Sequence, residues 1–113
     1  LAALLRANKI PTGLCYQRLT IGDKPPFCLH GLNAVYLKDH GWYRIDARGN
    51  KEGVSAEFTP PIEQLAFPIV SEGESDLPEI WTEPLPVIVD VLTQYTDFQD
   101  VANNLPDILL YKK

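Results

Sequence analysis

The sequence predicts an α+β fold: a mainly antiparallel sheet of about three to five strands, with a helix at the N-terminal end and helices at the C-terminal end. Three stretches carry that prediction. Leu29–Asp46 holds two runs rich in β-branched and aromatic residues around a polar Lys38-Asp39-His40-Gly41 turn, the pattern of a β-hairpin. Leu1, Leu4 and Leu5, with alanines between them, line one face of a helix. Val87, Ile88, Val91, Leu92 and Tyr95 fall at helical spacing and form one apolar stripe near the other end.

In chain order, the first segment is helical and Pro11 ends it, because the residue before a proline is pushed out of the α region. Gly13–Thr20 alternates like a strand, and Ile21–Phe27 has the Gly and Pro content of a loop. In the hairpin, Val35 and Leu37 alternate with Ala34 and Tyr36, which suits a largely buried strand, and Trp42–Ile45 resumes after the turn. Asp39 tolerates the left-handed region and Gly41 enters it freely, so the turn has its chemistry. Ala47–Gly53 is a polar turn, Val54–Phe58 a further strand, and Pro60–Pro68 one short turn plus an edge strand. Ser71–Asp76 alternates Glu72, Glu74 and Asp76 along a Gly/Ser-rich stretch; it lacks the spacing of a calcium loop and is expected to be a solvated loop. Thr82–Pro86 opens the C-terminal helix, with prolines tolerated in its first turn, and a second short helix spans Thr96–Asn103. The stripe on the first of these is expected to pack as core.

At 113 residues and 45% apolar content, the chain can bury one modest core. A net charge of −5 argues against a nucleic-acid partner, whose phosphates are bound by Lys and Arg. No apolar run approaches the roughly 20 residues of a membrane span, and no secretory signal pattern is visible. Two cysteines without secretory features favour reduced thiols and a cytoplasmic setting. The chain contains no Met and opens inside a helical pattern without a capping residue, the expectation for a fragment or half-domain.

The hairpin brings its own ends together, so His30 and Asp46 should be neighbours although sixteen positions apart. Parity decides whether they share a face. A three-residue loop, Lys38–His40, pairs Leu37 with Gly41 and sets Asp46 opposite Leu32, with His30 a diagonal neighbour on the same face. A two-residue loop turns His30 to the other face, unless a bulge at Gly31 restores the parity. Without that proximity, the pair is a solvated histidine and a turn-capping aspartate. Arg48 is near enough to Asp46 to hold it ionised or to form a surface ion pair. Cys15 and Cys28 read as small buried apolar residues rather than nucleophiles, since mid-strand no helix terminus stands by to favour thiolate. Together with His30 and Asp46 they have the residue types of a zinc site but lack its paired cysteine spacing, so no metal and no cofactor is expected.

Three pieces, Ala3-Leu-Leu-Arg-Ala-Asn-Lys-Ile-Pro11, His30-Gly-Leu-Asn-Ala-Val-Tyr-Leu37 and Gly41-Trp-Tyr-Arg-Ile-Asp46, resemble the transglutaminase-like superfamily in order and spacing. The sequence departs from the family where Gly31-Leu32 replace Ala-Trp and where Ala47-Arg48 replace a frequent Pro-Thr. The resemblance implies that residues 1–70 are the His/Asp-bearing part of a papain-related domain, followed by an acidic loop and helical extension over 71–113. It also implies a Cys-His-Asp triad acting on a protein or peptide amide, with His30 as general base and acid and Asp46 orienting the imidazole. Hydrolysis is favoured over cross-linking. The family's cysteine sits about two helical turns before Leu1, so this chain alone is expected to be inactive. The alternative is a non-catalytic interaction or structural domain that retains the fold. A homodimer through the Leu1–Leu5 face, or the C-terminal helix folded over it, would cover the exposed leucines.

Overall fold

Gly22 and Asp23 both take positive φ, 70° and 68°. Two successive left-handed residues make the tight turn whose twist matches that of the strands it joins. They link β1 (Thr12–Ile21) to β2 (Lys24–Leu37), which a second turn joins to β3 (Gly41–Ile45). The computed structural model describes residues 1–107 and adds α1 (Ala2–Ala7), β4 (Ser75–Asp76), α2 (Pro86–Gln94) and α3 (Phe98–Ala102). The chain is therefore α+β, with an antiparallel sheet in the order β3-β2-β1-β4.

The residues group into two compact units, and β1 and β2 contribute to both. The first comprises Leu1–Cys15, Gly31–Pro68 and Pro78–Thr82. Its core joins Cys15 and Leu32 to Ala34, with Leu65 packed against them. The Tyr36 N–H donates to the Pro11 carbonyl at 3.0 Å, and Leu14 and Trp81 exchange backbone bonds at 2.7 and 2.8 Å. Gly13 is required there, because a Cβ would lie 2.2 Å from the Ile80 Cγ2 and 3.2 Å from the Trp81 carbonyl oxygen. The second unit comprises Tyr16–His30, Ile69–Leu77 and Glu83 onward. Its buried apolar residues are Tyr16, Leu19, Leu77 and Leu85. β4 pairs with β1 through Gln17↔Asp76 and Arg18↔Ser75.

Four expectations are corrected. α1 is ended at Ala7 and not by Pro11: Asn8 caps it and Lys9 turns the chain at φ 61°. The Arg6 guanidinium then holds the exit, donating to the Thr12 carbonyl at 2.9 and 3.0 Å and to the Thr82 carbonyl at 2.8 Å. Secondly, Ile21–Phe27 is no loop beyond its two turn residues, since Pro25 and Pro26 sit at the exposed start of β2. A proline at a strand's beginning gives up an N–H that the ladder does not need.

Thirdly, among the described residues Val54–Phe58 forms no strand, and Pro60–Pro68 contributes only its turn and a single bridge, Glu57↔Gln64. Side chains take the donors that a ladder would have used. Asn50 Oδ1 accepts the Ala56 N–H at 2.7 Å, and the Tyr43 hydroxyl accepts the Thr59 N–H at 2.9 Å. Fourthly, the C-terminal stripe is not core. Pro86 does open α2 in its first turn, and Leu85 before it is 1% exposed with its N–H on the Tyr16 hydroxyl at 3.1 Å. Yet no residue of α2 or α3 is buried, and Phe98 is 84% exposed. Of the stripe itself, Val87, Ile88, Val91 and Tyr95 are half-buried and Leu92 is exposed, so the face is only partly covered. Leu4 on α1 is likewise 70% exposed. No helix among the described residues is long and apolar enough to cross a membrane.

Candidate functional site

The β2–β3 hairpin positions the residues singled out by sequence. Its register runs Leu37↔Gly41, Tyr36↔Trp42, Val35↔Tyr43, Ala34↔Arg44 and Asn33↔Ile45. The loop is thus the three-residue Lys38–His40, closed by the His40 N–H on the Leu37 carbonyl at 3.0 Å, with Gly41 at φ 80°. Counting one place further sets Asp46 opposite Leu32 in that register. His30 lies on β2 two residues before Leu32 and is half-buried.

Asp46 leaves β3 at its C-terminal end and is 7% exposed. A carboxylate so withdrawn from water must be met by donors. Its Oδ1 accepts the Arg48 N–H and its Oδ2 accepts the Ala66 N–H, both at 3.4 Å. Arg48 reaches Asp46 through its backbone. Its guanidinium lies 5.1 Å over the Phe67 ring, and Nη1 is 3.4 Å from the Gly49 carbonyl. The donor from Ala66 was not legible in the sequence, because it stands twenty positions from Asp46 across an irregular segment.

That segment is fastened to β3 a second time. Glu63 Oε2 accepts both the Arg44 N–H, at 2.9 Å, and the Arg44 Nε–H, at 3.0 Å, while Oε1 accepts from Nη2 at 3.0 Å. Tyr43 adds a third fastening by donating its hydroxyl to the Ile62 carbonyl at 3.2 Å, and it meets Phe58 edge-on at 5.3 Å. The outward backbone of the edge strand is thereby covered by a carboxylate rather than left for another strand.

No family model matches the chain, and no curated protein and no solved structure matches it. The residues themselves must carry the reading. Cys15 is buried at 2% exposure and Cys28 is half-buried, and neither is in a disulfide. Burial pushes both thiols up from their ordinary value; for Cys15 the Arg44 charge only partly opposes this, and for Cys28 the Asp107 and Glu74 charges add to it. A raised thiol pKa is the opposite of what a nucleophile needs. Among the described residues no three His, Cys, Asp or Glu side chains are grouped to hold a metal ion.

One carboxylate in the acidic stretch is not simply solvated. Glu74 accepts the backbone N–H of Thr20 at 2.8 Å, of Ser71 at 2.8 Å and of Val70 at 3.1 Å, together with the Thr20 hydroxyl at 2.9 Å. Donors to the charged form favour it, and the carboxyl is held down at about 2. The Glu74 N–H returns to the Ser71 carbonyl at 3.1 Å. Ser71-x-x-Glu74 is the capping-box spacing, and that was the readable signal, although no helix follows here.

Proposed function

We propose that the chain is the His/Asp-bearing part of a transglutaminase-like, papain-related domain, and that the parent chemistry is thiol-dependent acyl transfer or hydrolysis at a protein or peptide amide. The nucleophile is a cysteine about two helical turns before Leu1. His30 takes the thiol proton and returns it to the leaving amine, and Asp46 orients the imidazole. The observation that supports this reading is the three-residue β2–β3 loop, whose register counts Asp46 opposite Leu32 on the strand that carries His30. Asp46 is withdrawn from solvent, as an orienting carboxylate should be, and it also caps its own turn through the Arg48 N–H. The raised thiol pKa values suit Cys15 and Cys28 as structural residues and not as substitutes for the nucleophile.

The test uses the full-length gene product. Iodoacetamide-sensitive turnover of peptide amides is expected, abolished by His30→Ala and lowered by about 10²- to 10⁴-fold by Asp46→Asn. Turnover unaffected by His30→Ala, or any residue but cysteine at the upstream position, overturns the enzyme and leaves a binding domain that retains the fold.

A further inference from the structure

Asp46 is held by a segment that has no regular structure of its own, so something else must fix that segment. Ala66 brings its N–H to Asp46 Oδ2, and Glu63 lies three residues before it. Glu63 grips Arg44, two residues before Asp46, by a bidentate pair and by the Arg44 N–H. The two attachments form a staple: Arg44 to Glu63 at one end, Asp46 to Ala66 at the other. Residues 44 and 46 alternate to the same side, so both attachments meet one side of the chain. Between them Leu65 packs on the Cys15–Leu32–Ala34 cluster, which ties the bridge of the staple to the core.

We infer that Glu63 is a positioning residue for Asp46. It acts through the Ala66 N–H, which approaches Oδ2 only while the Glu63–Arg44 pair keeps the segment in register with β3. This rests on the triad reading for its catalytic consequence, but the coupling of Glu63 to Ala66 stands on geometry alone. Arg44 and Glu63 side chains are 25% and 34% exposed, so their charge attraction is partly screened. The geometry carries more: one carboxylate holds a guanidinium fork and a strand N–H together, and neither glutamine nor lysine reproduces that set.

The experiment is amide hydrogen exchange on the chain, followed by kinetics on the full-length gene product. Glu63→Gln should speed exchange at Ala66 by about fivefold while the ladder amides of Val35 and Tyr43 keep their rates. In an Asp46→Ala background, Glu63→Gln should add nothing at Ala66, since the contact it supports is gone. In the full-length enzyme, Glu63→Gln should lower kcat and leave KM unchanged. An Ala66 rate unchanged in Glu63→Gln overturns the inference, as does equal acceleration with and without Asp46. Failure of the triad reading would look different: His30→Ala would leave turnover intact while the Ala66 response to Glu63→Gln persisted.

Discussion

Replacing Arg18 by lysine keeps the charge and removes the shape, and the loss should be large for a residue on a strand. The Arg18 guanidinium makes four contacts. Nε donates to Asp107 Oδ1 at 2.6 Å, Nη2 to Oδ2 at 2.9 Å, and Nη1 to the Gly73 carbonyl at 2.9 Å. Its central carbon lies 3.6 Å over the Phe27 ring centre. The two side chains are 15% and 19% exposed, so water screens the pair weakly. Hydrogen bonds between charged groups contribute about 1.5–3 kcal/mol, and a guanidinium stacked on an aromatic face about 0.5–1 kcal/mol. An ammonium retains one bond to Asp107 but cannot reach both oxygens and Gly73 together, nor lie flat on Phe27. Arg18→Lys should therefore cost about 1–2 kcal/mol and Arg18→Ala about 3 kcal/mol. At roughly 4–8 °C per kcal/mol for a domain near this size, the lysine variant should melt about 10 °C lower. The loss should also be local. Pro106 precedes Asp107, and its carbonyl accepts the Leu29 N–H at 3.2 Å, so the Leu29 amide should exchange faster in Arg18→Lys. Unfolding free energies from urea titration within about 0.3 kcal/mol of the parent, with Leu29 exchange unchanged, would refute the reasoning.

Two further outcomes follow from individual groups. Glu74 is held at about 2 against an ordinary 4.5, so its stabilisation is complete above pH 4.5 and is lost as pH falls toward 2. The stability difference between parent and Glu74→Gln should be constant above about pH 5 and vanish near pH 2; a difference that persists at pH 2 excludes the carboxylate as its source. Burial keeps both thiols protonated at neutral pH, so iodoacetamide should label the folded chain about tenfold more slowly than free cysteine, with Cys15 last. Rapid labelling of Cys15 under native conditions would contradict that.

What the sequence disclosed was local. The β2–β3 hairpin was readable because alternation and turn chemistry lie within a few residues of each other, while parity alone left two- and three-residue loops both open. The start of β2 was missed because Pro25-Pro26 outweighed Gly22-Asp23, although Gly-Asp is itself a hairpin signal. The irregular run from Ala47 to Pro68 was missed for a different reason. Its order comes from the Tyr43 hydroxyl, from Glu63 on Arg44 and from Asp46 on Ala66, contacts 16 to 20 residues apart with no periodicity to announce them. Arg18 and Asp107 are 89 positions apart, and nothing in either neighbourhood names the other.

A common device explains how so irregular a chain keeps its backbone satisfied. Where strands pair, N–H groups go to carbonyls, and no side-chain substitution can delete those bonds. Off the ladder, on the outer edge of β3, in the turns and at the start of α3, several go to carboxylates: Arg44 to Glu63, Ala66 and Arg48 to Asp46, Thr20, Val70 and Ser71 to Glu74, Gln99 to Asp97. For the buried one of these donors, the Ala66 N–H, loss of its acceptor costs about 1–3 kcal/mol, a large share of a small domain's stability. Single substitutions at these acids should therefore loosen particular segments while leaving the ladder in place. Asp46 stands where the two regimes meet, one residue beyond the last ladder pair and at the first carboxylate-held turn. That position gives it a strand's rigidity on one side and, on the other, an orientation set by Ala66 and the Glu63–Arg44 pair.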